Sequence, residues 1–236
     1  MNLNRCHIIH YTKLESRKNF LDVQLSIAGL QGNYITDFDQ EALTPKVIEQ
    51  FYEKNPTTHD SKIEKLWDPS VHTYRELNTP EISCTIKHFE ALRLIAESPE
   101  DYGLILEDDV VFREGFVEEF DHCLSLTPND WDAVFIGSGC GESFQRHKLR
   151  ESEKINEHCF LVGHPATNCA EAYLVKKEMA DKIYKSAQPF HLISAWELAY
   201  QLFKFNAKVY WWTPSLIEQG SKNGRYESTL DLGQRR

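Results

Sequence analysis

The 236-residue sequence has no long apolar run: nowhere do about eighteen apolar residues stand together, the minimum for a membrane span. Residues 1–10 also hold no extended hydrophobic stretch of the kind a secretory leader carries. The expectation is a soluble, cytoplasmic chain without a transmembrane segment. Basic blocks are missing too. The net charge is −10, and no Lys/Arg run exceeds the terminal Arg235-Arg236. Nucleic acid is excluded as a partner, because phosphate backbones need a concentrated basic surface. Six cysteines (Cys6, Cys84, Cys123, Cys140, Cys159, Cys169) form no CxxC pair. They read as reduced thiols that fill the core. Cys159 and Cys169 lie near His158 and His164, but the irregular spacing argues against structural zinc.

Core-forming residues are plentiful. Hydrophobic residues make up 41%, with five Trp, ten Tyr and thirteen Phe, so one large α/β domain over 1–236 is expected. Strand-like runs alternate with helix-like ones. Strands are expected at 6–11, 33–38, 102–106, 133–136, 172–175 and 209–212, and helices at 14–28, from Thr44-Pro45, from Thr79-Pro80, and at 115–126, 177–187 and 193–205. Alternation of this kind predicts a mostly parallel central sheet. Residues 55–78 are polar with little periodicity and read as a long surface loop. Residues 137–169 break the rhythm with several glycines and a charged run, and read as a mobile lid. Past residue 212 only a polar tail is expected. The Trp211-Trp212 pair reads as packing.

The most informative feature is Glu107-Asp108-Asp109, which ends the apolar run Leu104-Ile105-Leu106 and opens onto Val110-Val111-Phe112. Adjacent carboxylates repel, and burying one without a partner is costly. Three at the C-terminal end of a strand, where α/β folds bind ligands, point to a bound cation. Hard cations such as Mg2+ and Mn2+ take oxygen ligands and bridge carboxylates to diphosphates. Neighbouring strand residues face opposite ways, so at most two of the three share a side unless the strand bends. Receiver domains carry a similar acidic pair but need a later strand ending in Asp, whereas 133–136 runs into Gly137-Ser138. A HAD-type phosphatase would need Asp where Glu107 stands.

A third pattern fits most of the chain. His7-Ile8-Ile9-His10 with Arg17, the stretch from Ile82 to Leu92, Leu104 to Val110, Trp131-Asp132-Ala133, Ala172-Tyr173-Leu174-Val175, and Val209-Tyr210-Trp211 with Gln219-Gly220-Ser221 follow one another in order. Together they resemble glycosyltransferase family 25, the group of lipopolysaccharide β-galactosyltransferases and procollagen galactosyltransferases. The resemblance implies a single-domain GT-A nucleotide-sugar-binding fold and a UDP-sugar donor. It further implies Mn2+ or Mg2+, and inverting transfer of a galactose-like hexose to a glycan or hydroxylated acceptor. Asp109 and Asp108 become the expected metal ligands, and Glu107 reaches toward the nucleotide ribose. Arg17 is expected to pair with the diphosphate. His88, Gln219 and Ser221 are expected on the donor side, His88 reading equally as a satisfied core histidine. Glu197, in Trp196-Glu197-Leu198, is the expected general base for the acceptor hydroxyl. Ala195 stands where the family often has Asp, and Ser83 where Gly is common. The first departure keeps open a rival reading, a non-catalytic nucleotide-sugar or glycan-binding homologue.

Overall fold

The computed structural model describes residues 5–68, 72–139, 152–167 and 169–227. In chain order the elements begin with β1 (Arg5–Ile9), α1 (Glu15–Ala28), β2 (Gln31–Ile35), α2 (Pro45–Phe51), α3 (Pro56–Leu66) and α4 (Thr79–Glu97). β3 (Tyr102–Glu107), β4 (Val110–Phe112), α5 (Phe116–Leu126), β5 (Ala133–Phe135), β6 (Ser152–Lys154) and β7 (Cys159–Val162) follow. β8 (Ala172–Lys176), α6 (Lys177–Ser186), α7 (Ser194–Lys204), β9 (Val209–Trp212) and β10 (Ile217–Gln219) complete the series.

Eight strands form one sheet in the order β2-β1-β3-β8-β5-β9-β7-β6, and β10 pairs with β4 in a small second sheet. β2, β1, β3, β5, β9 and β6 point one way, while β8 and β7 run against them. The sheet is thus mixed and mostly parallel in direction, as the alternating pattern predicts. Strand periodicity divides its side chains between two layers. Ile105, Phe135, Tyr173, Val175 and Trp211 pack with α4, α6 and α7. Leu104, Leu106, Val134, Leu174 and Trp212 pack with α1 and α5 on the opposite face. Both Trp211 and Trp212 are core residues, and each indole N–H has an acceptor, Gly137 O and Thr127 Oγ1.

Four expectations need correction. Residues 55–78 are no loop throughout, because α3 fills Pro56–Leu66 with Asn55 as its N-cap and Pro56 in its first turn. Its buried face is His59, Lys62, Ile63 and Leu66, so a helical stripe is present but half of it is polar. The second half of 137–169 also has regular structure: β6 and β7 form an antiparallel pair, with β7 hydrogen-bonded to β9. Residues 140–151 and 168 lie outside the described residues. The tail holds β10, antiparallel to β4 with Gln219 opposite Val110. Finally, the cysteines are not uniformly reduced. Cys6, Cys84, Cys123 and Cys159 are free, but Cys169 is disulfide-bonded. Cys140 lies outside the described residues. A smaller shift concerns Gly29 and Gly32. Gly29 ends α1 at φ 66°, whereas Gly32 lies inside β2, where a Cβ would stand 2.7 Å from Ile8 Cδ1 and 2.9 Å from Leu25 Cδ1.

No helix among the described residues is long and apolar enough to cross a membrane.

Candidate active site

A cleft of about 190 Å3 opens at the C-terminal edge of β1 and β3, beside the first turns of α4. α4 starts there with a capping box: the Asn78 side chain accepts from Glu81 N–H, and the Glu81 carboxylate accepts from Asn78 N–H, both at 2.9 Å. From that start the helix directs Ser83, Cys84 and Lys87 at the cleft. Lys87 is 2% exposed and lies beneath the strand ends. Its ammonium donates to His10 O at 2.5 Å and to the Asp39 carboxylate.

The three carboxylates have different fates. Asp108 faces β1 and is clamped. Its Oδ1 accepts from Arg17 Nη1 at 2.9 Å, and its Oδ2 lies 2.8 Å from His10 Nδ1 and 3.2 Å from Tyr11 N–H. Arg17 also donates to Glu227 O at 2.5 Å, tying the segment after β10 to the cleft. Asp109 is 4% exposed. Its Oδ2 takes one backbone donor, Ser221 N–H at 3.2 Å, and its Oδ1 is buried with no partner. Burial, and then the nearby Glu107 charge, push the Asp109 carboxyl up to about 6. Glu107 is held from two sides, by His88 Nε2 and by Gln219 Nε2, each at 3.3 Å.

β10 closes this arrangement from above. Gly220 N–H donates to Asp109 O at 2.7 Å, and a Cβ on Gly220 would stand 2.6 Å from that same oxygen. Glycine at this position lets the strand end lie directly on the acidic turn. Gln219 is thereby placed on Glu107, and its own Oε1 is buried without a partner. Ser221 reaches Asp109 through its backbone rather than its hydroxyl.

Of the sequence-derived residues, Arg17, Glu107, Asp108, Asp109, Gln219 and Ser221 meet in this cleft. His88 does not line it. The ring is 3% exposed, sits under Glu107, and stacks on Tyr173 with its Nδ1 3.4 Å from the phenol oxygen. Asp108 is a smaller departure from the expected ligand pair: both of its oxygens already accept from donors of the chain. Glu197 is the larger correction. It is fully buried at the start of α7, where Lys62 Nζ donates to both of its oxygens (2.6 and 2.8 Å). His191 N–H, Leu192 N–H and Gln201 Nε2 fill the remaining positions. A carboxylate that accepts five hydrogen bonds from four donors and has no exposure is closed to an acceptor hydroxyl.

Glu171 was not among the primary candidates. It directly precedes β8, its carbonyl accepts Glu107 N–H at 2.9 Å, and its carboxylate accepts Gly139 N–H at 2.6 Å. Burial pushes this carboxyl up to about 7, with Glu107 and Asp109 adding to the rise. The sequence signal is an acid directly before the apolar run Ala172-Tyr173-Leu174-Val175; that this run lies against β3 is decided by the fold. Asp132, at the opposite end of β5, caps Lys208 N–H instead.

The donor set suits a hard divalent cation. Asp109 Oδ1 and Gln219 Oε1 are orphaned buried oxygens, and Glu107 lies beside both. Cys84, His88 and Glu107 also place one ligand atom each within 4.8 Å of one another, a softer set.

The whole architecture is shared with the inositol-1-phosphate CTP transferase from T. maritima, at TM-score 0.51 and 8% identity over 97% of this chain and 93% of that one. A UDP-glucose pyrophosphorylase in complex with UDP-glucose aligns at TM-score 0.48 and 8% identity, over 99% and 100% of the two chains. Mouse xyloside xylosyltransferase 1 aligns at TM-score 0.37 and 13% identity, over 87% and 70%. At 8% identity the first of these establishes the class of fold alone, a mixed α/β fold of the GT-A-like kind. No curated protein gives a sequence match. The family model of glycosyltransferase family 25 (LPS biosynthesis protein) matches residues 6–198, and the chain belongs to that family. It is accordingly a glycosyltransferase. The matched region contains the acidic turn and ends before Gln219 and Ser221.

Proposed function

We propose that this chain transfers a hexose, galactose-like, from a UDP-sugar to a hydroxyl of a glycan acceptor with inversion at the anomeric carbon, assisted by Mn2+ or Mg2+. The observation that carries the reading is Asp109: a buried carboxylate with one orphan oxygen, beside Glu107, at the strand edge where α/β folds bind nucleotides. Asp109, Glu107 and Gln219 would hold the cation, which when bound neutralises charge on the departing diphosphate. Asp108 would not be a ligand; it keeps Arg17 and His10 in place at the mouth of β1. Arg17 is thereby presented to an anionic donor with its guanidinium already oriented.

In the transfer the acceptor oxygen bonds to the anomeric carbon as the bond from that carbon to the diphosphate oxygen breaks. The electron pair leaves with UDP, and the acceptor proton passes to a carboxylate. Glu197 is enclosed, and Glu171, on the same sheet edge as Glu107, is 3% exposed and is not part of the cleft lining, so neither is assigned that role. The metal reading is tested by calorimetry with UDP in Mn2+ and then in excess chelator. Binding that disappears with chelator supports it, and equal affinity in both overturns it.

A further inference from the structure

A second cavity, of about 520 Å3, lies on the other side of the α4 start and is claimed by none of the groups above. Its volume falls in the roughly 300–1,000 Å3 range of small-molecule sites. The two cavities share a wall. Pro80 and Ser83 line the first, Leu77 and Asn78 the second, and these residues lie within seven consecutive positions. On the far side, Cys84 Sγ of the first cavity is 4.0 Å from Ser194 Oγ, next to Ile193 of the second.

The lining is aromatic and uncharged in effect. Trp196 stands at the centre, with Trp67 tilted against it at 5.2 Å between centroids and His72 edge-on at 4.8 Å. The two formal charges on the wall are neutralised internally: Arg75 pairs with Glu81, and Glu76 with Lys54. Such a surface offers no net charge to a phosphate or a carboxylate. It does offer an aromatic face with hydrogen-bonding groups around it, namely His72, Thr73 and the Asn78 amide. A pyranose has that complementary form, an apolar face of C–H bonds inside a rim of neutral hydroxyls.

The enclosed Lys62–Glu197 pair acquires a role here. It joins α3 to the first turn of α7, the residue after Trp196, and so sets the spacing of Trp67 and Trp196. A fully buried ion pair is weak as a stabiliser but strict as a geometric constraint.

We propose that this cavity is the saccharide acceptor subsite, with Trp196 as the stacking platform and His72 and Asn78 on the hydroxyl rim. The proposal rests on the glycosyl-transfer reading only for the word acceptor. The binding itself is tested without a donor. Saturation-transfer NMR of the full chain with lactose and with methyl β-galactoside is expected to show sugar C–H signals in the wild type. Trp196→Ala should remove them, while UDP affinity in Mn2+ stays within about twofold, since only ground-state sugar binding is lost. His72→Ala, at the cavity edge, should weaken the sugar signal and serves if Trp196→Ala fails to fold. Absence of any sugar signal in the wild type, or signals retained in both variants, overturns the proposal. So does an unglycosylated hydroxylated peptide that binds here in place of the sugars. Failure of UDP to bind at all would count against the donor site and leave the sugar result standing.

Discussion

Asp109 and Glu197 are both buried carboxylates, and their surroundings are opposite. Glu197 has four donors, one of them a lysine ammonium, making five hydrogen bonds, and stands at a helix start where the backbone dipole favours an anion. Asp109 has one backbone donor on one oxygen, nothing on the other, and two acidic neighbours. Burying a charge costs several kcal/mol unless partners replace water. At Glu197 the chain supplies those partners itself, and the result is architecture. At Asp109 it leaves the deficit open, and that opening is where the proposed cation would bind. Equal burial therefore says little about function; the inventory of partners says much more.

The sharpest way to break that contrast is Asp109→Asn. It should abolish transfer, on the order of several kcal/mol of lost transition-state stabilisation, with thermal stability unchanged or higher because a repelled charge is gone. UDP release and a melting curve on the same sample decide it, and a folded variant with wild-type turnover would remove Asp109 from the site. Glu197→Ala should do the reverse. It strands Lys62 in the interior, so stability should fall by about 3–5 kcal/mol and, with the Trp67–Trp196 spacing lost, the acceptor KM should rise while kcat of the folded fraction at saturating acceptor holds. The double replacement Lys62→Met with Glu197→Leu should recover most of the loss. A normal melting curve with lost kcat would return Glu197 to the chemistry.

Asp39 offers an intermediate case, a carboxylate partly open to solvent and paired with buried Lys87. Burial alone would raise its pKa, but hydrogen bonds from Lys87 and Thr12 outweigh it and hold the pKa below the usual carboxylate value. A depressed folded-state pKa contributes stability above the unfolded value, and that contribution fades as pH falls through the folded one. Asp39→Asn should therefore cost about 1–2 kcal/mol at neutral pH, discounted for exposure, with the difference from wild type vanishing in acid below about pH 4. Urea titrations at several pH values measure it. A gap that persists at low pH would show that packing, not charge, is responsible. The smallest effect is expected for Arg17→Lys. An ammonium cannot hold Asp108 Oδ1 and Glu227 O together as the guanidinium fork does. UDP affinity should weaken roughly tenfold, about 1.4 kcal/mol, and an unchanged Kd would confine Arg17 to structure.

Much of the fold was legible because it is written in local periods. β1, α1, the helix entries at Thr44-Pro45 and Thr79-Pro80 and the apolar run into Glu107 appear where short-range pattern places them, whereas β2, expected at 33–38, lies at Gln31–Ile35. α3 was not legible, since its inward stripe includes His59 and Lys62, residues that read as surface until Glu197 is seen against them. β10 was hidden for a related reason. Three residues in a polar tail become a strand only because β4 is there to pair with them.

The acidic turn at the end of an apolar strand, the family pattern around it and the alternation of strand with helix were determined by the sequence alone, each being a matter of neighbours in the chain. Tertiary structure decided which acid is satisfied and which is not. The partners of Asp108 are 91 and 98 residues away, Ser221 is 112 from Asp109, and Lys62 is 135 from Glu197. A carboxylate's burial, pKa and freedom to bind a cation depend on groups within a few ångströms, and only the folded sheet edge brings such distant groups that close.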